Sequence, residues 1–324
     1  MSLPAQPRRA NESAWIVVTM IAMVAIPAGI TLHSVRAKPL PPIIDFSATP
    51  YGYTWSLLLF IVPITVIVCW FLPSESLRIP KRAFWRTISI LIPLGFALDF
   101  FFASKFFCFP NKGATLGILA PALGGGVPVE EYVFYFTGFI AILLIYIWLN
   151  EYWLAAYGVR DYQREAKAVE RLLRFHPSSL VAAVLLIGAA ILYKRFSAYP
   201  HGFPGYFTVL VIGGLAPSIS FFPSTCRFIN WRAFSLTLFM VLLISMFWEA
   251  TLAAPYGWWG YQQNQMMGLF IGAWAGLPIE AVVVWLAVTY ATTIVFEAVT
   301  IWQASEKDFR HALLGKPIRK LEAK

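Results

Sequence analysis

The chain has 324 residues, and its composition is far from that of a soluble protein. Hydrophobic residues make up 59% of it and charged residues only 13%, whereas a soluble domain has about 25% charged residues. The net charge of +9 can indicate nucleic-acid binding, but the lysines and arginines collect in short segments between long apolar runs, as in membrane proteins. The composition therefore predicts an all-α polytopic membrane protein and argues against a nucleic-acid partner.

Eight apolar runs are candidates for transmembrane helices, because about 20 apolar residues span the hydrocarbon layer. The first run resembles a signal peptide, but it is long and no small-residue cleavage site follows it, so we interpret it as a retained helix. The fifth run is the shortest. The eight runs are Ala14–Leu32, Trp55–Leu72, Phe84–Ser104, Pro128–Leu149, Ser179–Tyr193, Tyr206–Phe222, Phe234–Ala253 and Pro278–Thr300.

The positive charges alternate along the chain and predict the orientation of these helices. Segments on one predicted side of the membrane carry 19 lysines and arginines, and segments on the other side carry six. Positively charged loops stay in the cytoplasm, so both termini are predicted to be cytoplasmic, with the helices in the cell (inner) membrane. The mixed-charge segment from Arg160 to Arg174 is predicted to be a solvated cytoplasmic helix or linker.

The chain matches itself at an offset of 150 residues. Six of twelve positions are identical between residues 73–84 and 223–234, which indicates an internal duplication. Each copy holds three predicted spans, and four crossings separate equivalent spans. The copies are therefore predicted to be parallel repeats, which typically build a site at their interface.

The duplication divides the chain into five predicted parts, because each three-helix repeat is preceded by one extra helix. These parts are residues 1–50 with the N-terminal tail and first span, 51–150 with the first repeat, 151–202 with the linker and fifth span, 203–302 with the second repeat, and 303–324 with the basic tail.

Five acidic residues lie in or beside the predicted spans, all toward the outer face of the membrane. Ionisable residues inside a membrane are costly, so they are candidates for a functional site. In each repeat one of them follows a proline by two positions, a pattern that an ordinary helix start also produces. A further acid, Glu297, is predicted to be interfacial and is assigned no role. The five candidates are Asp99 and Glu249 at one repeat position, Glu130 and Glu280 at another, and Glu131.

An aromatic and glycine-rich stretch separates the acids within each repeat. One interpretation is structural, because aromatic residues form belts at the lipid–water interface. The other is functional: the aromatic faces stabilise a cation held nearby. The candidate substrate-binding residues in these stretches are Phe107, Trp258, Trp259 and Tyr261.

Motifs for other chemistry are missing from the sequence. It has no phosphate-binding loop, no dinucleotide fingerprint and no Asp-rich diphosphate motif. The four histidines lie in predicted loops or tails without metal-ligand spacing, and the three cysteines are scattered. The sequence therefore predicts no cofactor and no metal, and acid–base chemistry on an apolar substrate.

The segment Pro128–Glu131 is similar to the Pro-x-Glu-Glu motif of the integral-membrane lycopene cyclases, of the heterodimeric bacterial and the fused archaeal and fungal kinds. Two homologous three-helix modules make up these enzymes. In the second repeat, Trp248-Glu249, Gly257–Tyr261, Gly268 and Pro278–Glu280 follow the order and spacing of that family. The resemblance covers roughly residues 53–150 and 203–300.

The resemblance implies a cyclase, an isomerase of the intramolecular-lyase kind, that closes a ring in a linear polyene such as lycopene. A carboxylic acid protonates the terminal double bond, the next double bond attacks the cation, and a base removes a proton. Glu130 and Glu280 are the leading acid and base candidates, and Asp99, Glu131 and Glu249 support them. The expected partners are a polyene taken from the bilayer, lipid, and other membrane enzymes of carotenoid biosynthesis.

The chain departs from the family at three points, which leave the substrate and product open, and two alternatives to a cyclase remain. Ala281 stands where a second acid is usual, Glu249 stands where an aspartate is usual, and the first span and the C-terminal tail are additions to the core. One alternative is a proton- or cation-coupled transporter, since parallel repeats with intramembrane acids also suit transporters. The other is a non-catalytic membrane scaffold of the same fold.

Reporter fusions test the predicted orientation. Because 19 of the 25 lysines and arginines fall on one predicted side, fusions at both termini and within residues 150–178 are expected to report the cytoplasm. Fusions within residues 105–127 and 254–277 are expected to report the outside. An external C-terminus would mean that one span is miscounted and would undo the parallel arrangement of the repeats.

Overall fold

A computed structural model of the chain describes residues 49–71, 73, 79–197, 199–272 and 274–315, together with six isolated residues between 15 and 26. The first predicted span, Ala14–Leu32, lies outside these ranges apart from the isolated residues, which are helical. The end of the basic tail, after residue 315, lies outside them as well.

The described residues form nine α-helices, seven of which are long and apolar enough to cross a membrane. The protein is therefore an all-α integral membrane protein, and the seven spans predicted from Trp55 onward are confirmed as helices. The fifth predicted span, the shortest, is helical from Pro177 to Phe196. The helices are α1 (Gly52–Val66), α2 (Lys81–Phe106), α3 (Val129–Trp148), α4 (Tyr162–Ala168), α5 (Pro177–Phe196), α6 (Gly205–Thr225), α7 (Trp231–Trp248), α8 (Glu280–Ala304) and α9 (Phe309–Leu314).

Three of the helices continue into a π-helical turn. The turns are Ile67–Phe71 after α1, Leu149–Trp153 after α3 and Glu249–Ala253 after α7. Such turns widen the helix by one residue per turn and occur frequently at functional sites. The third of them begins at Glu249, one of the acidic candidates.

Two long loops at one end of the helix bundle fold back on themselves through short antiparallel strand pairs. We call residues 107–128 and 254–279 the paired loops and this end of the bundle the loop end. A further strand pair joins the two loops to each other, with Phe107 opposite Tyr261. The strands are β1 (Phe107–Cys108) paired with β4 (Gly260–Tyr261), β2 (Leu119–Ala120) with β3 (Val127–Pro128), and β5 (Phe270–Ile271) with β6 (Leu277–Pro278).

The opposite end of the bundle carries the segment between α3 and α5 and the start of the C-terminal tail. These two segments pair through their backbones, since the amide of Leu172 donates to the carbonyl of Ala312 at 2.8 Å. Lys167 and Glu306 form a surface ion pair at 2.9 Å. Of the lysines and arginines in the described ranges, twelve lie toward this end and four toward the loop end. We call it the basic end.

Glu297, to which the sequence assigns no role, is buried inside the bundle. Only 1% of its surface is exposed. The hydroxyl groups of Tyr146 and Tyr162 each donate to one of its carboxylate oxygens at 2.8 Å. Burial and the neighbouring Glu297 raise the pKa of Tyr162 well above its ordinary value, so its hydroxyl stays a donor. This contact anchors α4 to the core of the bundle.

Helices α6 and α8 approach each other closely where small residues meet. A Cβ atom added at Gly214 would lie 3.0 Å from the Cβ of Ala287 and 3.2 Å from its Cα. Small residues at such crossings let membrane helices pack backbone against backbone. The adjacent Gly213 has no neighbour within 4 Å of an added Cβ.

The substitution Gly214→Leu is expected to separate these two helices and to destabilise the protein by about 1–3 kcal/mol, the usual cost of overpacking. The matched variant Gly213→Leu adds the same side chain one residue away, where there is space. Thermal unfolding in detergent should therefore show a lower midpoint for the first variant only. Equal midpoints would contradict the close crossing.

Candidate active site

All five acidic candidates are buried at the loop end of the bundle. Glu280 is fully buried, Asp99 and Glu130 are 2% exposed, and Glu249 and Glu131 are 3% and 5% exposed. The late position of Asp99 in α2 and the early position of Glu131 in α3 bring the acids to the same depth. Helix direction alone, as read from the sequence, accounts for this gathering.

Two of the acids line one central cavity between the two halves of the chain, and a third lies beside it. Glu131 and Glu249 line it directly, and Asp99 lies close enough to Glu131 to interact with it electrostatically. The space free of protein atoms at this site, including space open to the outside, is about 360 Å³. It is lined by Tyr53, Phe107, Glu131, Phe134, Tyr135, Tyr206, Glu249, Trp259, Tyr261, Val284 and Trp285.

Tyrosine hydroxyl groups hold two of these carboxyl groups in place. Tyr53 donates to Glu131 at 2.9 Å, and Tyr261 donates to Glu249 at 2.6 Å. Burial and the charge of Glu249 raise the pKa of Tyr261 well above its ordinary value, so its hydroxyl remains protonated and can donate. Asp99 differs, because its Oδ2 atom is buried without a hydrogen-bond partner among the described residues.

Glu130 and Glu280 are placed differently, since each holds the paired loop of its own half. Glu130 accepts a hydrogen bond from the backbone amide of Leu116 at 2.7 Å and one from Thr54 at 2.5 Å. Glu280 accepts one from the amide of Met267 at 2.5 Å. The second carboxylate oxygen of each is buried with no partner in the described part of the chain. Neither residue lines the central cavity.

A buried lysine lies near Glu280. Lys194, at the end of α5, is 2% exposed and its ammonium group donates to the carbonyl of Gln263 at 3.0 Å. It also interacts electrostatically with Glu280. Glu280 and Lys194 therefore both hold the second paired loop, and Lys194 comes from α5.

Three of the four aromatic candidates lie together at the cavity, and one does not. Phe107, Trp259 and Tyr261 line it, because the β1–β4 pairing brings the two loops over the carboxyl groups. Trp258 instead packs against Gly52, where an added Cβ would lie 2.7 Å from its ring, and donates to the hydroxyl of Thr49 at 3.0 Å.

Several cavity residues are not among the sequence candidates. Tyr53, Phe134, Tyr135, Tyr206 and Trp285 lie within apolar helices, where an aromatic residue is unremarkable by composition. Sequence position could have identified two of them. Phe134 and Tyr135 follow Glu131 by about one helical turn and therefore share its side of α3.

Two grooves lie beside this cavity. The first groove lies between α2, α3, α6 and α8 and includes Asp99, and its space free of protein atoms, including open space, is about 730 Å³. Apart from Asp99 and two tyrosines, its lining is apolar. It shares Phe107, Tyr135, Tyr206 and Val284 with the central cavity. The groove and the cavity are therefore adjacent, and Asp99 lies in the groove while Glu131 and Glu249 lie in the cavity.

A second groove lies on another side of the bundle. It is bounded mainly by α3 and α7, encloses about 500 Å³ and shares only Phe134 and Trp285 with the central cavity. Its lining contains no acidic residue.

Comparisons with known proteins leave the family open: no family model matches the chain, and no curated protein or solved structure matches it either. Among the described residues, no group of three or more histidine, cysteine, aspartate or glutamate side chains is arranged to hold a metal ion.

The loop contacts of Glu130 can be tested by amide hydrogen exchange. In Glu130→Ala the amide of Leu116 loses its side-chain acceptor, a hydrogen bond worth about 0.5–1.5 kcal/mol, so its exchange is expected to be about two- to tenfold faster. Glu130→Gln keeps a carbonyl acceptor and should restore slow exchange. Glu280→Ala serves as the control, because it should affect Met267 and leave Leu116 unchanged.

Proposed function

We propose that this protein is a membrane cyclase that closes a ring in a linear polyene by proton transfer, without cofactor, in the manner of the lycopene cyclases that it resembles. The observation that carries the proposal is the meeting of Asp99, Glu131 and Glu249 beneath aromatic side chains at the inner end of an apolar groove. Such a site suits a hydrocarbon substrate that enters from the bilayer and reacts through a cation.

We also propose that the two halves are parallel repeats. The contacts between helices support this, because α1 packs on α3 and α2 packs on α3, as their equivalents α6 and α7 pack on α8. Across the halves, α2 packs on α8 and α7 packs on α3, which is the same contact made twice. Glu130 and Glu280 each accept a hydrogen bond from an amide of their own loop, which is a further correspondence.

The reaction conserves its atoms and electrons. A carboxyl group gives its proton to the terminal double bond, which leaves a carboxylate and a tertiary cation. The neighbouring double bond attacks this cation to form the new carbon–carbon bond of a six-membered ring. A carboxylate then removes a proton from the carbon next to the resulting cation, so the product is an isomer of the substrate.

Placement suggests separate roles for the carboxyl groups. Asp99 lies in the first groove and has an oxygen without a partner among the described residues, which suits the donor to an alkene lying there. Glu249, held by Tyr261 across the cavity, suits the base. Glu131 lies between them and interacts electrostatically with both. The motif Pro-x-Glu alone favours Glu130 and Glu280 as the acid and base. Their side-chain placement instead favours a structural role for this pair, which is to hold the paired loops.

The aromatic residues around the cavity suit the cationic stage. Phe107, Trp259 and Tyr261 from the loops and Phe134 and Trp285 from the helices present ring faces or edges to the same space. Ring faces attract a cation by about 0.5–2 kcal/mol each, more where water is excluded. They also keep water away from the cation, which favours ring closure over hydration.

The apolar lining of both grooves favours an enzyme over a transporter for ions. A proton or cation pathway needs a continuous row of polar groups or water, and the described lining of the first groove is interrupted only by Asp99 and the tyrosines. We further propose that the basic end faces the cytoplasm, which places the carboxyl groups in the outer half of the cell membrane.

Variants of the carboxyl residues test this proposal in cells that accumulate lycopene. Asp99→Asn, Glu131→Gln and Glu249→Gln keep size and hydrogen bonding but cannot transfer a proton, so each is expected to reduce ring formation by about 10²–10⁴-fold. Glu130→Gln and Glu280→Gln keep an acceptor for the loop amides and are expected to lose less than tenfold. Pigment analysis beside a membrane-abundance blot gives the measurement.

Two outcomes would change the assignment. Severe loss in Glu130→Gln and Glu280→Gln, with activity kept in the other three variants, would make that pair the acid and base. Unchanged pigments in all five variants and in cells without the protein would favour the non-catalytic scaffold.

A further inference from the structure

The two grooves are built from equivalent positions of the two halves. Nine of the twelve residues that line the second groove have their partner, 150 positions away, in the lining of the first. For example, Val241 corresponds to Leu91, and Ile244 corresponds to Leu94. The molecule thus offers two routes of the same design toward one set of carboxyl groups.

At four of the nine pairs the second groove has the larger aromatic side chain: Phe60 replaces Leu210, and three more such pairs lie near the cavity. Where the first groove has Leu98, Val284 and Tyr135, the second has Trp248, Phe134 and Trp285 in that order. Each replacement is a larger aromatic side chain. We call Phe134, Trp248 and Trp285 the aromatic plug.

The members of the aromatic plug pack against one another. The rings of Phe134 and Trp248 are stacked with centroids 5.5 Å apart, and the rings of Phe134 and Trp285 meet edge to face at 5.7 Å. Trp248 also packs on Trp259 of the second loop at 4.7 Å. Trp248 and Phe134 therefore stand between the second groove and the carboxyl groups beneath the loops.

The two grooves also differ in their carboxyl groups. Asp99 lines the first groove, but its equivalent, Glu249, is turned to the central cavity and does not line the second. Ala281 replaces the second repeat's equivalent of Glu131 and is fully buried. A chain in the second groove therefore meets aromatic rings where a chain in the first meets an acid.

We propose that the polyene enters through the first groove only, and that the aromatic plug sets this one-sided use by closing the second groove to the carboxyl groups. This inference rests on the proposed function, because it assumes a polyene substrate. It makes Phe134, Trp248 and Trp285 specificity-determining residues, whose replacement by their counterparts in the other repeat would open a second route.

A matched pair of substitutions tests the inference by binding. Leu94 and Ile244 are equivalent and are 52% and 45% exposed at the mouths of their grooves, so a tryptophan fits at either without disturbing the core. The full chain would be purified from lycopene-accumulating cells, and the total pigment bound per protein measured by absorbance. Leu94→Trp is expected to lower bound pigment at least tenfold, and Ile244→Trp by less than twofold.

A third variant tests the plug itself. Trp248→Leu with Trp285→Tyr, added to Leu94→Trp, is expected to restore at least half of the bound pigment through the second groove. Three results would overturn the one-sided route and leave the cyclase proposal standing. They are an equal loss of bound pigment in the two single variants, a loss with Ile244→Trp alone, and no loss with either. Absence of pigment from the unaltered protein would overturn both. If the triple variant fails to fold, as judged by gel filtration, the single variants decide.

Discussion

Backbone amide and carbonyl groups without a partner cost several kcal/mol at membrane depth, and the loop end of this bundle depends on how that cost is avoided. The paired loops are not helical, yet they cover buried carboxyl groups. Within each loop one strand pair supplies partners for the backbone amides, and a third strand pair joins the two loops. The side chains of Glu130 and Glu280 accept further hydrogen bonds from the loop amides. Because the loops are satisfied in this way, Phe107, Trp259 and Tyr261 can be held over the cavity, and the site can be closed to water.

A second feature is that tyrosine hydroxyl groups hold buried carboxyl groups at both ends of the bundle. At the loop end, Tyr53 and Tyr261 supply hydroxyl donors to Glu131 and Glu249, so that two buried carboxyl groups are retained without a bound cation among their described partners. At the basic end, Tyr146 and Tyr162 do the same for Glu297. Between these ends the helices pack through apolar side chains together with buried serines and threonines, and the first groove is apolar apart from Asp99 and two tyrosines.

Hydropathy predicts the seven described spans within a few residues of their ends, because a membrane-crossing segment must be apolar and helical whatever it packs against. It also predicts that the acids gather at one end, since helix direction fixes their depth. It does not predict which acid faces the cavity. Glu130 and Glu131 are neighbours in one motif, but successive residues on a helix point about 100° apart, and only packing decides that Glu131 faces inward. Trp258 and Trp259 are also neighbours, but only Trp259 lines the cavity. Hydropathy does not predict the burial of Glu297 either, because that burial involves contact with Tyr162 of α4.

The pairing of Phe107 with Tyr261 also bears on how the protein is made. The two residues are far apart in the chain, so the first half leaves the ribosome and enters the membrane well before its partner strand exists. During that interval the backbone of β1 lacks the hydrogen bonds that it makes with β4, although Glu131 already has its donor, because Tyr53 lies in the same half. We therefore expect an insertase or chaperone to shield the β1 edge of the first half until β4 is synthesised.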